Sequence, residues 1–297
     1  ANDAQVDVRG TLDGQLLSGG PAQPVQVRLD LRARRLLIEL RELLAQSGDA
    51  RASLAGRLTR ATPQAGWAAR GQATLRDFDP LPWWPGREDS PWRQGPHRLN
   101  AHADFDLALP AQAASGLQWL QRLRGRAQLG LEPSRLAGVP LNGALSLQTG
   151  ADGRTIGQLK LEADGNRLQA DARLDALADG RDDHWELKAD LQSMKRLQPL
   201  WKLALAGGAD ARLAGKLSAD ARIDGRWPAL VTQGRLDGDE LRFGAVELQR
   251  AQGRWTLGTQ ANAPLDATLE LGPLSLGAPS AERTTLKLKG TPAAHTL

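Results

Sequence analysis

Between positions 209 and 223 the chain alternates strictly. Ala209, Ala211, Leu213, Gly215, Leu217, Ala219, Ala221 and Ile223 are small or apolar. The residues between them (Asp210, Arg212, Ala214, Lys216, Ser218, Asp220, Arg222) are nearly all polar. A period of two sends every second side chain to the same side of an extended backbone, so this stretch is a strand with one dry face and one wet face. The pattern fills almost the whole chain. Val6, Val8, Gly10 and Leu12 share one parity, and so do Val25, Val27, Leu29 and Leu31. Positions 36–44 hold good helix formers, but Leu36, Ile38 and Leu40 also alternate, and beside such neighbours the segment reads as a strand.

Further strands are expected at 52–58, 67–75, 99–109, 125–131, 141–147, 156–163, 168–174, 185–191, 231–236, 241–248, 253–257, 265–271 and 284–288. Gly150-Ala151-Asp152-Gly153, Asp164-Gly165-Asn166 and Asp237-Gly238-Asp239 read as tight turns between them. Short strands with turns at even spacing imply an antiparallel meander. Three segments break the rhythm. Positions 77–96 are rich in Pro and Trp and read as an irregular loop; 115–124 has helical spacing in Leu117, Leu120 and Leu123; 193–205 also looks helical, with Pro199 opposing a continuous helix. These segments are expected to cap or line the sheet.

An internal repeat accompanies the alternation. Trp67, Trp83 and Leu99 are each sixteen apart, and so are Trp185, Trp201 and Leu217, the second set offset from the first by 118 residues. With a one-residue slip, Pro80-Leu81 matches Pro199-Leu200. Each copy reads as strand, Pro-Leu-Trp loop, long strand, which suits an array of units stacked on their neighbours.

Composition narrows the function classes. The apolar residues are mostly Leu and Ala, with no Tyr and only three Phe against nine Trp, so the dry face is wide and built from medium-sized aliphatics. The 38 basic and 34 acidic residues are interleaved, which makes no basic stripe for nucleic acid. The absence of Cys excludes disulfides, thiol catalysis and Cys-based metal sites. No run approaches the ~18 apolar residues of a membrane helix, and no signal peptide opens the chain. The start, Ala1-Asn2-Asp3-Ala4, reads as a cut inside a longer protein.

Chemistry-bearing motifs are scarce. None of His97, His102, His184 and His295 stands in a metal-type pair. Asp182-Asp183-His184 is a carboxylate–histidine cluster in a Gly- and Asp-rich segment, where a solvated turn is expected. Positions 208–216 have the wrong spacing for a phosphate loop, and Leu217 replaces the required Ser or Thr. There is no G-x-S-x-G elbow. Paired carboxylates could serve glycoside hydrolysis, but here they alternate with Arg and Lys along strands, as an exposed face requires. No enzyme, cofactor or metal site is expected. Trp83, Trp84 and Trp92 could stack on sugars; their regular placement, repeated at Trp201, favours an architectural role with Trp83, Pro199, Leu200 and Trp201 as loop anchors.

The dry face has two readings. It is the core of an ordinary sandwich, with two sheets about 10 Å apart, or it is an open sheet whose concave side takes up lipid chains. An acyl chain gains roughly 0.8 kcal/mol per CH₂ removed from water, on the order of 12 kcal/mol for sixteen carbons. The candidate lining comprises Val25, Val27, Leu29, Leu99, Ala101, Leu129, Leu145 and Leu147 in the first half. In the second half it comprises Leu159, Leu161, Leu187, Leu213, Leu217, Ile223, Leu269 and Leu271.

The C-terminal third carries a resemblance. Lys195-Arg196-Leu197-Gln198-Pro199-Leu200-Trp201 precedes Leu213-Ala214-Gly215-Lys216-Leu217 and Asp224-Gly225-Arg226-Trp227-Pro228-Ala229-Leu230. Gly234-Arg235-Leu236-Asp237-Gly238 and Leu241-Arg242-Phe243-Gly244-Ala245-Val246-Glu247-Leu248 follow, and the chain ends on Leu288-Lys289-Gly290-Thr291-Pro292-Ala293-Ala294-His295-Thr296-Leu297. From Trp185 onward this resembles the TamB family of the AsmA-like superfamily, and more loosely before it. The resemblance implies an all-β fold: an elongated, curved antiparallel sheet (a β-taco, or open groove) of repeated strand units with one or two short helices. It implies one groove segment over 1–297, with repeat-like units near 50–110 and 168–228 and a third near 229–297. It further implies a periplasmic bridge that conducts phospholipid between membranes or assists outer-membrane protein assembly and secretion. The implied partners are phospholipid acyl chains, an outer-membrane barrel of the TamA/BamA type and the inner membrane through an N-terminal anchor, the last two through regions outside this segment. Two other classes fit the alternation: a transmembrane β-barrel, opposed by the missing aromatic girdles, and a non-catalytic carbohydrate-binding β-protein.

Overall fold

The computed structural model describes residues 4–16, 22–83, 90–93, 95–109, 111, 123–175, 181–204, 212–275 and 280–296. Contacts divide the chain into two units, Ala1–Gly153 and Arg154–Leu297. One copy of the 118-residue repeat lies in each.

The first unit is an antiparallel meander of eight strands: β1 (Gln5–Leu16), β2 (Gln23–Arg34), β3 (Leu37–Ser47), β4 (Ala50–Thr59), β5 (Ala68–Phe78), β6 (Leu99–Ala108), β7 (Arg124–Leu136) and β8 (Val139–Thr149). Each pairs with the next in sequence. The segment at 36–44 is indeed strand. Its alternation switches phase at Arg41 because β3 carries a bulge there: Leu40 faces Leu31 and Gly56, whereas Leu43 faces Leu29 and Leu54. The extra residue lets Ile38, Leu40, Leu43 and Ala45 keep one face.

The second unit continues the same logic with β9 (Arg154–Ala163), β10 (Asn166–Asp175), β11 (His184–Leu191), β12 (Leu213–Arg226), β13 (Ala229–Phe243), β14 (Val246–Gly258) and β15 (Leu265–Leu271). Two-residue strands β16 (Leu274–Ser275) and β17 (Ser280–Ala281) lead to β18 (Thr284–Thr291) and β19 (Ala294–Thr296). β18 pairs with β15, so the ladder passes around the short β16–β17 excursion on β14. Asp164-Gly165 makes the two-residue β9–β10 turn with φ of 47° and 80°, the doubly positive conformation whose twist matches the strands it joins.

One expected turn is not a turn. Asp237-Gly238-Asp239 lies inside β13, which joins the strand expected at 231–236 to the first part of the one expected at 241–248; the chain reverses instead at Gly244-Ala245, so that Val246–Leu248 already belong to β14. Gly238 sits in the ladder opposite Leu217 and Ala251, and the irregularity falls at Glu240, whose φ is 50°. The helical stretch at 193–205 resolves into a 3₁₀ turn, Met194–Leu197, followed by α1 (Gln198–Ala204). Pro199 is the second helical residue, where its missing N–H costs nothing. The helix expected at 115–124, Trp84, Ala209 and Ala211 lie outside the described residues, apart from Leu123 and the first residue of β7. The loop at 77–96 contains two 3₁₀ turns, Leu81–Trp83 and Pro91–Arg93.

Candidate functional site

Strand register turns the one-dimensional alternation into rows that cross each sheet. In the first unit, one row runs Leu12, Val27, Ala45, Ala52, Leu75, Ala101, Leu131 and Gly143. The next runs Gly10, Leu29, Leu43, Leu54, Ala73, Ala103, Leu129 and Leu145, and a third runs Val8, Leu31, Leu40, Gly56, Gly71, Phe105, Ala127 and Leu147. No charged residue enters these three rows. The opposite face carries Asp7, Arg32, Glu39, Arg57, Arg70, Asp106 and Arg126 in one row. Parity along β2, β6, β7 and β8 places all eight candidates of the first half on the apolar face.

The second unit repeats the construction. Leu161, Leu168, Ala189, Ala219, Leu236, Gly253, Leu269 and Leu286 form one row. Leu159, Ala170, Leu187, Ala221, Gly234, Trp255, Ala267 and Leu288 form the next. Ile223 joins a row with Trp185, Thr232 and Leu257, and Leu217 joins one with Leu191, Gly238, Ala251 and Leu271. Seven of the eight candidates of the second half therefore share a face. Leu213 lies apart, beyond the bulge at Gly215, buried at the α1 end of β12, where its N–H donates to Gln198 Oε1 at 2.6 Å.

The apolar rows are not the inside of a sandwich. Among the described residues no large side chain is fully buried, and the hydrophobic residues that are buried are few and scattered. Leu129 and Leu145, neighbours at the β7–β8 end of a row, stay 42% and 44% exposed. A second sheet packed on this face would have removed nearly all of that surface. Nor does the first sheet close into a barrel, since among its described residues β1 pairs with β2 alone.

Small residues on this face are matched to large ones. The Trp255 ring lies over Gly234, and Phe105 reaches over Gly71. Gly253 sits between Leu236 and Leu269. Trp255 Nε1 donates to Thr232 Oγ1 at 3.2 Å, which fixes the ring's direction. Periodicity alone had not marked Trp255 or Phe105, because only register shows that each faces a glycine.

The repeated tryptophans occupy equivalent places after β5 and β11. Trp83 stacks on Phe78 with centroids 6.0 Å apart, and Trp201 meets Phe243 edge-on at 5.8 Å. The loop before β6 is pinned by buried His97: its Nδ1 accepts from the Ala137 N–H at 3.1 Å and its Nε2–H donates to the Trp92 carbonyl at 2.9 Å. These contacts give the Pro-Leu-Trp segments a structural task.

The polar face is an ion-pair lattice. Arg32 donates to Asp7 at 2.7 Å, and that bond, helped by Gln5, holds the Asp7 carboxyl below its ordinary range while raising Arg32. Arg235 donates to Asp220 at 3.0 Å. Depressions on this face include one of about 500 Å³ among Asp220, Arg235, Arg254 and Glu270. They are open spaces between long charged side chains. Asp183 departs from the expected solvated turn. It is 4% exposed, accepts from Arg226 Nε at 2.7 Å and caps the Asp175 N–H at 2.8 Å. His184 lies between Asp224 (2.8 Å) and Glu186 (3.2 Å). Among the described residues no group of His, Asp and Glu gathers as a metal site, and no helix is long and apolar enough to cross a membrane. No family model, curated protein or solved structure matches the chain.

Proposed function

We propose that the apolar face of each sheet takes up lipid acyl chains, and that the chain is a middle segment of a TamB-like periplasmic bridge conducting phospholipid between inner and outer membranes or assisting outer-membrane protein assembly. The observation that carries this reading is the uncovered apolar rows. Seven inter-strand spacings of about 4.8 Å make each row about 34 Å long, ample for an acyl chain that spans half of a bilayer core of about 30 Å. The rows hold Leu, Ala, Val and Gly and almost no fixed polar group, which suits a ligand that offers only methylenes and slides rather than docks. Covering Leu129, Leu145 and their neighbours with an acyl chain contributes about 0.8 kcal/mol per methylene.

The test is a photo-reactive residue at Leu129, Leu217 or Leu269, with Arg235 as the polar-face control. Illumination in cells should attach phospholipid at the three apolar positions and not at 235. Equal labelling on both faces, or none on the apolar face, would sink the reading. Capture of unfolded outer-membrane strands at the same positions would make protein the cargo.

A further inference from the structure

The uncharged rows of the first sheet stop at a cation. Beside the three rows above lies a fourth that includes Ala33, Ile38, Leu58, Ala69 and Leu107, again without a charge. The next position of the same parity after β4 is Arg60. Its N–H donates to the Leu36 carbonyl at 3.0 Å, so it continues the ladder. The β4–β5 register ends on Thr59 opposite Ala68, which sets Arg60 against Trp67. Trp67 continues its own ladder, accepting from the Leu109 N–H at 2.6 Å. Arg60 and Trp67 thus stand together at the margin of the apolar face, on its side of the sheet.

Arg60 is held in place but not neutralised. Its guanidinium carbon lies 4.6 Å from the centre of the Trp67 ring, a cation–π contact. Nη1 donates to the Pro63 carbonyl at 3.0 Å, whereas Nε is buried and has no partner. Among the described residues no carboxylate pairs with the group. Arginines of the polar face differ: Arg32 meets Asp7 and Arg235 meets Asp220. A guanidinium carries five N–H donors, and a partly covered one without a counter-charge keeps most of its capacity for an anion. The repeat does not demand this cation. Trp185 stands 118 residues after Trp67, yet its cross-strand neighbours are Ala172 and Ile223.

We infer that Arg60 binds the phosphate of a phospholipid whose acyl chains lie on the rows beside it. The inference rests on the lipid reading above and gives the headgroup a fixed point. Charge decides the occupant. An unpaired guanidinium beside a wide aliphatic face matches a molecule that joins an anion to methylenes, and its planar fork suits phosphate oxygens. Reach agrees with this. Positions on one face of a strand are ~6.8 Å apart, and an acyl chain that spans half of a bilayer core needs ~15 Å. A chain entering from Arg60 therefore passes Leu58 and reaches the row of Gly56 and Phe105. The phosphate stays at the margin, where Arg60 is only half-buried. The Trp67 ring lies at the same junction of wet and dry surface, a place that suits an indole.

Three probes test the site by calorimetry on the full chain: phosphatidylglycerol with two six-carbon chains, the matching diacylglycerol without phosphate, and inorganic phosphate. The phospholipid should bind about tenfold more tightly than the diacylglycerol, the gain from one charge-assisted contact. Arg60→Gln should erase that difference and leave diacylglycerol binding as it was, which also shows the variant to be folded. Arg60→Lys, which keeps the charge without the fork, should restore part of the difference. Equal affinity for the two lipids, or a preference that survives Arg60→Gln, would overturn the inference and leave the lipid reading standing. Inorganic phosphate that displaces the phospholipid at equal concentration would make Arg60 a site for the free anion and overturn it too. Binding of neither lipid would remove the lipid reading and this site with it.

Discussion

Trp255 lies across Gly234 on the neighbouring strand, so closely that a Cβ on the glycine would sit 2.5 Å from the indole and 2.4 Å from the Asp220 carbonyl oxygen. The ring could tilt away, but the backbone oxygen cannot. Gly234→Ala is therefore expected to cost about 1–3 kcal/mol, the range for forcing extra volume into a fitted site. A lowered urea midpoint at unchanged m checks it. Gly10→Ala, with open space above it, should change stability far less.

Asp183 and Arg226 make the second prediction. The carboxylate is buried, and each of its oxygens has a partner: Arg226 Nε on one and the Asp175 N–H on the other. Arg226 also donates to the Asp175 carbonyl at 2.7 Å. Asp183→Ala removes both acceptors and leaves a guanidinium without its counter-charge, so a loss of about 2–4 kcal/mol is expected. Asp183→Asn keeps one acceptor and should fall between. Chemical denaturation of both variants tests the order, and equal stability of Asp183→Ala and the unmodified chain would contradict it.

Much of this was legible in the sequence because one-sided strands write their period directly into it. The eight candidates of the first half fall on one face for that reason alone. Register was not legible. Nothing local shows that Phe105 faces Gly71 or Trp255 faces Gly234, positions brought together by strands 20 to 35 residues apart. Gly238 misled for a related reason: Asp-Gly-Asp has turn chemistry, but in the ladder the glycine simply makes room beside Leu241, whose Cδ1 would lie 2.6 Å from an added Cβ. Asp183 looked solvated because its partner, Arg226, is 43 residues away.

The cluster around His184 yields a pH prediction. The His184 hydrogen bond holds the Glu186 carboxyl below its ordinary 4.5. Burial pushes Asp224 up, but the Arg222 and His184 bonds together outweigh it, and its carboxyl ends below the ordinary value. A carboxyl lowered on folding contributes stability above its unfolded value and loses it as pH falls through the folded value. The contribution is thus present at neutral pH and disappears in acid, and it is small because both groups face solvent. Carboxyl NMR titration of His184→Ala should show Glu186 moving up toward its ordinary range. Asp224 should move less, since Arg222 still donates to it at 2.9 Å. An unmoved Glu186 would mean that His184 is not its partner in solution.

The last prediction separates the apolar face from the stability of the sheet. Leu129 and Leu286 lie in rows of different units and are each more than two-fifths exposed. Replacing either by Asp removes little buried surface, so the cost to folding should stay near 1 kcal/mol or below. The same change places a charge in the path of an acyl chain, where an unpaired carboxylate must be desolvated or must exclude the chain. Phospholipid recovered with the purified protein, quantified by mass spectrometry, should fall several-fold in Leu129→Asp and Leu286→Asp. It should be unaffected in Arg235→Asp, which alters the opposite face. If all three variants retained the same lipid, the retained lipid would not lie on these rows, and the leucines would be exposed for some reason other than carriage.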